Sequence, residues 1–404
     1  MRAFVLAFLI ALALVPATAA AADWPSRRLE VGLTDQPGGA AALRHSARVG
    51  FRYQYLAGGV NTGNGWSTWN PDGTFASMYA AESRRAGIVP VFTYYQLQQS
   101  KPGAGGEADT IAANLRDAGT MRALFGDLTL LFKRAREAGG PVVVHVEPDL
   151  WGYVEQRSSG DDAATVPARV GSSGNADVAG LPDTAAGYAQ AVVRLRDTYA
   201  PNVVLGYHLN VWGTGTDIAL QDPPNAQVDA LARRAARFYA SLGARFDVTF
   251  AEFDDRDAGF NRLVNGDGGA SWWRGGDFAR DVRFTGGYHR ATGQRIVKWQ
   301  IPLGNTLMRA VDDTWGHYQD NRVQTLIGGR TAWLRRYRAA GVVALLFGGG
   351  ADGTTCACDA RHDGTTNPRP IGGNRRRSLS ADDDGGYFKS RARAYARKRL
   401  AIAP

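Results

Sequence analysis

Residues 142–151 read Val142-Val143-Val144-His145-Val146-Glu147-Pro148-Asp149-Leu150-Trp151. The valines make a run that is apolar on both faces, as a strand buried on both sides of a parallel sheet requires. The run turns polar at its C-terminal end and breaks at a proline. The same unit recurs outward in both directions: a short apolar run, a loop rich in Gly, Trp, Asn and Asp, and then an amphipathic helical stretch. The runs are 29–34, 51–56, 88–95, 142–147, 202–210, 246–252, 295–301 and 341–347, the last reading Val342-Val343-Ala344-Leu345-Leu346-Phe347. Helical patterns fill the gaps, clearest at 110–138, 184–199, 226–242, 322–340 and 386–400. Asp183-Thr184 after a proline is a helix start, and Gly139-Gly140 a helix stop.

Eight such units in 404 residues are the arithmetic of a single α/β (β/α)8 barrel with long βα loops. The competing fold, a doubly wound open sheet, usually carries a glycine-rich phosphate loop after an early strand. Here the second run leads into Gly58-Gly59-Val60-Asn61-Thr62-Gly63-Asn64-Gly65, which lacks the GxGxxG spacing and continues into Trp66 and Trp69 instead of a helix. No domain boundary is visible. Residues 23–404 read as one barrel domain, with 350–384 an irregular insertion after the eighth strand.

Composition agrees with a globular chain: 44% hydrophobic, 10% aromatic and 21% charged residues exclude disorder or coiled coil for its bulk. Residues 1–22 read as a secretory signal. Arg2 precedes an apolar run of 13 residues from Ala3 to Val15, too short to span a bilayer, and Pro16 ends it. Small-x-small sites at Ala17-Thr18-Ala19 and Ala20-Ala21-Ala22 allow cleavage, the second being preferred. No later segment is apolar enough for stable membrane insertion, so a secreted, extracellular protein is expected. The net charge of +9 is concentrated in Arg375-Arg376-Arg377 and in 389–399. An anionic cell-wall or extracellular polysaccharide is one partner such a surface fits, and a solvated helix face is the plainer account. No nucleic-acid motif accompanies the charge. Cys356 and Cys358 are the two cysteines; a local bridge, an intermolecular bridge and free thiols all stay open.

Polar residues collect where strands end, which in a barrel of this kind is the face that holds the site. The strand ends carry Asp35-Gln36, Tyr94-Tyr95-Gln96, the segment from His145 to Trp151, His208-Leu209-Asn210-Val211-Trp212, Glu252-Phe253-Asp254 and Lys298-Trp299-Gln300. Alternation along a strand puts His145, Glu147 and, if the strand continues, Asp149 on one face. It pairs His208 with Asn210, Glu252 with Asp254, and Lys298 with Gln300. Neighbours of opposite parity, Val144, Val146, Leu209, Phe253, Trp299 and Ile301, then face the helices. Neighbouring carboxylates in a partly dry mouth have their proton affinities pushed apart, so one serves as general acid while another stays ionised. Hydrolysis of a glycosidic bond needs that division. Glu147 is the expected acid, Glu252 the base or nucleophile, and Asp254 the second choice. Of the ten tryptophans, Trp66, Trp69, Trp151, Trp212, Trp272, Trp273 and Trp315 fall in loops after strands and Trp299 on strand seven. Indole faces stack on sugar rings and the N–H offers a polar contact. The expected substrate-binding set is Asp35, Tyr94, Gln96, His145, Asp149, Trp151, His208, Asn210, Trp212, Lys298, Trp299, Gln300 and Trp315, on a carbohydrate substrate, with no cofactor and no metal.

On these residues the chain resembles the TIM-barrel glycoside hydrolases. In their largest clan a glutamate ending strand four, often preceded by asparagine, is the acid/base. Glu147 matches that position, with Val146 before it. The clan's nucleophile ends strand seven, where this chain has Gln300-Ile301-Pro302 and no carboxylate. Glu147-Pro148-Asp149 is similar to a string in family 6 cellulases. The resemblance implies a glycosidase mounted on the mouth of the barrel. Two other readings use the same residues. The missing strand-seven carboxylate suits a non-catalytic sugar-binding barrel, and His145, Glu147, His208 and Asp254 suit a metal-dependent hydrolase, although neither HExxH nor a strand-one HxH is present.

Overall fold

The fold was analysed in a computed structural model that describes residues 23–103, 105–253, 256–306, 318–348, 355, 384 and 386–403. The strands are β1 (Glu30–Thr34), β2 (Phe51–Leu56), β3 (Val89–Tyr94), β4 (Val142–Val146), β5 (Val203–Leu209), β6 (Val248–Glu252), β7 (Ile296–Ile301) and β8 (Val342–Phe347). Each pairs in parallel with the next, and β1 closes on β8 with Glu30 opposite Ala344 and Leu33 opposite Phe347. The result is a closed (β/α)8 barrel in which no strand has a free edge, and the doubly wound alternative is excluded.

Alternation divides the apolar residues into two cores. Phe51, Tyr53, Val91, Val143, Val204, Phe250, Val297, Trp299 and Leu346 fill the barrel interior. Val144, Val146, Leu209, Phe253 and Ile301 pack outward with the helices. Trp24 joins the inner set by stacking on Phe51 at 4.9 Å, so the interior is packed below the mouth.

Two expected helices are each divided. The pattern over 110–138 is split into Glu107–Arg116 and Ala118–Ala138 at Asp117, whose extended backbone (φ −89°, ψ 115°) lets its side chain accept from the Thr120 N–H. That is an N-cap in mid-pattern, an aspartate serving an orphan amide. The pattern over 322–340 divides into Arg322–Ile327 and Ala332–Ala339, with Gly328-Gly329 between them. Thr184 caps the helix Ala185–Tyr199 as expected, accepting from the Gly187 N–H. Gly139, at φ 68°, ends Ala118–Ala138. The expected signal segment, the bulk of the 350–384 insertion, both cysteines, Asp254 and Trp315 lie outside the described residues. No helix among the described residues is long and apolar enough to cross a membrane.

Candidate active site

The C-terminal ends of the strands surround a cavity of about 710 Å³. Its walls include Tyr55 from β2, Tyr95 just after β3, Val211 and Trp212 after β5, Glu252 from β6, and Trp299 and Gln300 from β7. Asp149 and Tyr153 enter from the helix Pro148–Arg157, Glu107 from the start of the helix Glu107–Arg116, and loops add Asp217, Arg256 and Asp267.

Strand β4 does not run through to Asp149. Glu147 takes a left-handed backbone (φ 49°, ψ 70°), and Pro148 opens a helix at once. Proline suits that first position because its missing N–H would have no intrahelical partner. Asp149 falls in the first helical turn and reaches the mouth from there. The Tyr95 hydroxyl donates to it. Burial pushes the Asp149 carboxyl up to about 6; the Tyr95 hydrogen bond opposes this and the Glu252 charge adds to it.

Glu252 closes β6 in a set of donors. His208 Nε2 lies 3.0 Å from its Oε2, the Val211 N–H donates to Oε1 at 3.1 Å, and Asn210 Nδ2 donates to Oε2 at 3.4 Å. Behind it, His208 Nδ1 is 2.8 Å from His145 Nε2, and His145 Nδ1 is 3.3 Å from Thr93 Oγ1. Phe250 stacks on His145 at 4.1 Å, and Trp299 meets the two imidazoles edge-on at 4.8 and 5.6 Å. Trp212 packs on Tyr153 at 4.8 Å, and Gly152 is needed there because a Cβ would collide with the Trp212 ring and the Asn210 side chain. Gln300, at φ 51°, donates to the Tyr55 hydroxyl at 2.6 Å.

His145, Asp149, His208, Asn210, Trp212, Glu252, Trp299 and Gln300 thus gather in or just beneath the mouth. Others do not. Glu147, expected beside His145, is turned away by its left-handed backbone. Its Oε1 accepts from the Gln96 and Leu97 N–H groups, both at 3.0 Å, and the side chain is buried. It ties β4 to the loop after β3. Burial pushes its carboxyl up to about 8, with the two N–H groups opposing. Tyr94 also points outward, donating at 2.8 Å to Asp127 on Ala118–Ala138. Trp151 is core: its Nε1 donates to the Val146 carbonyl and its ring packs on Tyr188, Tyr207 and Phe246. Asp35 pairs with the buried Arg52 at 3.0 Å, and Gln96 is buried against Gly65. Lys298 faces the helices, 2.9 Å from Asp281, while Trp299 takes the inward position. The reason is a bulge: the β7–β8 register shifts between Lys298 and Ile301, so Gln300 reaches the mouth without Lys298 sharing its face.

These positions separate two carboxylates by experiment. Glu147→Gln keeps an acceptor for both amides, so its loss of kcat is expected to stay under about tenfold, below the range of a proton-transferring group. Its stability carries a pH signature. The neutral Glu147 carboxyl contributes stability below the ordinary glutamate value of 4.5, and this is lost as pH rises toward about 8. Unfolding midpoints of wild type and Glu147→Gln should therefore diverge, in favour of the variant, between pH 4.5 and 8.

Tyr55, Tyr95, Tyr153, Asp217 and Arg256 were not singled out in the sequence for this site. Parity would have found two of them, since Tyr55 follows the inward Phe51 and Tyr53, and Tyr95 follows Thr93. Tyr153, Asp217 and Arg256 sit on a helix and loops where no period points to a cavity. Among the described residues, no group of three or more His, Cys, Asp or Glu side chains is placed to hold a metal ion.

No protein-family model matches the chain, and no curated relative matches it. Solved structures do. A beta-glycosidase, BGL167, is 13% identical over 91% of this chain and 88% of its own, with a TM-score of 0.42. The catalytic core of a xylanase A is 11% identical over 80% and 87%, with a TM-score of 0.38. A putative lyase/mutase from Burkholderia cenocepacia J2315 is 14% identical over 80% and 78%, with a TM-score of 0.32. Glycosidases recur among these similar structures. The barrel assignment itself rests on the closed ladder of this chain.

Proposed function

We propose that the protein is an exported glycoside hydrolase in which Asp149 is the general acid and Glu252 the base or nucleophile. The observation that carries this is their unequal surroundings in one cavity. Asp149 is held toward its protonated form by burial, and Glu252 is ringed by His208, Val211 and Asn210 donors. Cleavage of an acetal needs two carboxyls that differ in surroundings within one cavity. Tyr55, Tyr153, Trp212 and Trp299 supply ring faces for sugar stacking, and the leader-like residues 1–22 support export. The mouth bears Glu107, Asp149, Asp217, Glu252 and Asp267 against Arg256, which favours neutral or amino sugars in the cavity. An anionic glycan is better suited to the basic exterior.

The test is release of reducing ends from a panel of neutral, amino and acidic polysaccharides. Release from one class is expected, with an alkaline limb near pH 6 where Asp149 ionises. Asp149→Asn should remove that limb together with most of the rate on natural leaving groups. Gln300, standing where the largest clan keeps its nucleophile, favours a second reading, a non-catalytic sugar-binding barrel. Saturable binding to one glycan with no release over long incubation would establish that reading instead.

A further inference from the structure

The barrel interior contains a row of polar groups that cleavage by Asp149 and Glu252 does not by itself require: Thr93, His145 and His208, all fully buried. The spacing leaves little freedom in the placement of hydrogens. An ionised Glu252 offers only acceptors, so His208 must present Nε2–H to it at 3.0 Å. A neutral His208 then has a bare Nδ1, which must accept from Nε2–H of His145 at 2.8 Å. His145 in turn has a bare Nδ1, which accepts from the Thr93 hydroxyl at 3.3 Å. The hydrogen bonds then run one way, from Thr93 through His145 and His208 to Glu252.

We infer that Thr93, His145 and His208 are positioning residues that fix the tautomer of His208, so that its Nε2–H is presented to Glu252 and holds the carboxylate in place at the cavity wall, which makes Glu252 the base or nucleophile. The inference rests on the hydrolase reading above and divides the labour within it. Burial holds His145 well below the usual histidine range, which keeps its ring neutral. The far end stops at buried Thr93, so the chain fixes a geometry and conducts no proton to solvent. Trp299, which lines the cavity, lies edge-on to both imidazoles, and Phe250 stacks on His145. Besides His208, the groups that face Glu252 are Asn210 and the Val211 N–H on its own side and, across the mouth, Asp149, Tyr153 and Asp217, with Arg256 on the same cavity wall.

Two measurements on the full chain test this. Imidazole nitrogen NMR of the 15N-labelled protein at neutral pH should show both His145 and His208 protonated at Nε2 and bare at Nδ1. A His208 bare at Nε2 overturns the inference. In the rate profile, His208→Ala should lower kcat about a hundredfold, the low end for a group engaged in positioned proton transfer. It should also move the acid limb up by about one pH unit, because the ionised carboxylate loses a charge-assisted donor. His208→Gln, whose amide donates to Glu252 and accepts from His145, should return the limb to its wild-type position with part of the rate recovered. An even loss of activity with the limb unmoved in His208→Ala is the mark of mere packing and overturns the inference. If His208→Ala does not fold, the NMR pattern and the His208→Gln profile decide. The NMR result needs no substrate, so correct tautomers in a protein that cleaves no glycan would remove the hydrolase reading alone. Cleavage with the wrong tautomers would remove the chain alone.

Discussion

The Glu252→Gln protein is expected to lose between about 10² and 10⁴ of kcat, the span typical of a positioned acid–base group, with KM changed little. Glutamine is nearly isosteric and still accepts from the Val211 N–H, which the wild-type carboxylate does at 3.1 Å. What disappears is the negative charge that must meet either an attacking water proton or the anomeric carbon. Both roles are needed whatever the leaving group, so the loss should be as large on an activated aryl glycoside as on the natural glycan. Asp149→Asn should behave differently. Its proton serves the departing oxygen, so a leaving group stable as an anion spares most of the rate. Steady-state kinetics on the two substrate types with the two variants gives a four-cell comparison. Equal sparing of both variants by the activated substrate would show that the roles are wrongly divided, and wild-type rates for Glu252→Gln would show that the site lies elsewhere.

The second large effect is on stability and comes from a residue that sequence parity placed in the mouth. Lys298 is fully buried, 2.9 Å from Asp281 on Gly275–Thr292, with its ammonium 4.6 Å from the Phe253 ring centroid. Asp281→Ala leaves that ammonium without its carboxylate, and breaking such a pair costs about 3–5 kcal/mol. The urea midpoint should fall accordingly with an unchanged slope. Replacing both partners together, as Lys298→Met with Asp281→Leu, should recover most of the loss, because apolar side chains of similar volume need no charge compensation. If Asp281→Ala unfolds at the wild-type midpoint, the pair contributes nothing and the bulge argument loses its energetic support. Activity of the folded double variant should remain, since neither side chain reaches the cavity.

Lys298 and Glu147 show where a strand period stops being informative. Both assignments counted alternate residues correctly, and both failed at one residue with positive φ. At Gln300 (φ 51°) the bulge lets one polar side chain into the mouth and leaves Lys298 outside. At Glu147 (φ 49°) the chain changes from strand to helix, which turns the glutamate toward the loop after β3 and delivers Asp149 in its place. Neither residue is a glycine, and nothing in a one-dimensional pattern marks a non-glycine residue that will adopt the left-handed region. Pro148 was the available signal, because a proline at the end of an apolar run favours a helix start as well as a strand stop. Where the strands stay regular, parity held: His145 and His208 lie on the inner face, and Val144, Val146, Leu209 and Phe253 on the outer.

The sequence by itself determined the architecture, because eight runs apolar on both faces, separated by amphipathic helices, have few ways to bury themselves and a closed parallel barrel leaves no edge exposed. It also determined which end would carry the polar residues. Only the tertiary structure decided which carboxylates meet. That choice depends on two backbone angles and on contacts between residues far apart in the chain, from Thr93 through His145 and His208 to Glu252, and from Tyr95 to Asp149. Local periodicity encodes burial, which is a property of one residue and its face. A site is a property of distances between strands, and those come into existence only when the barrel closes.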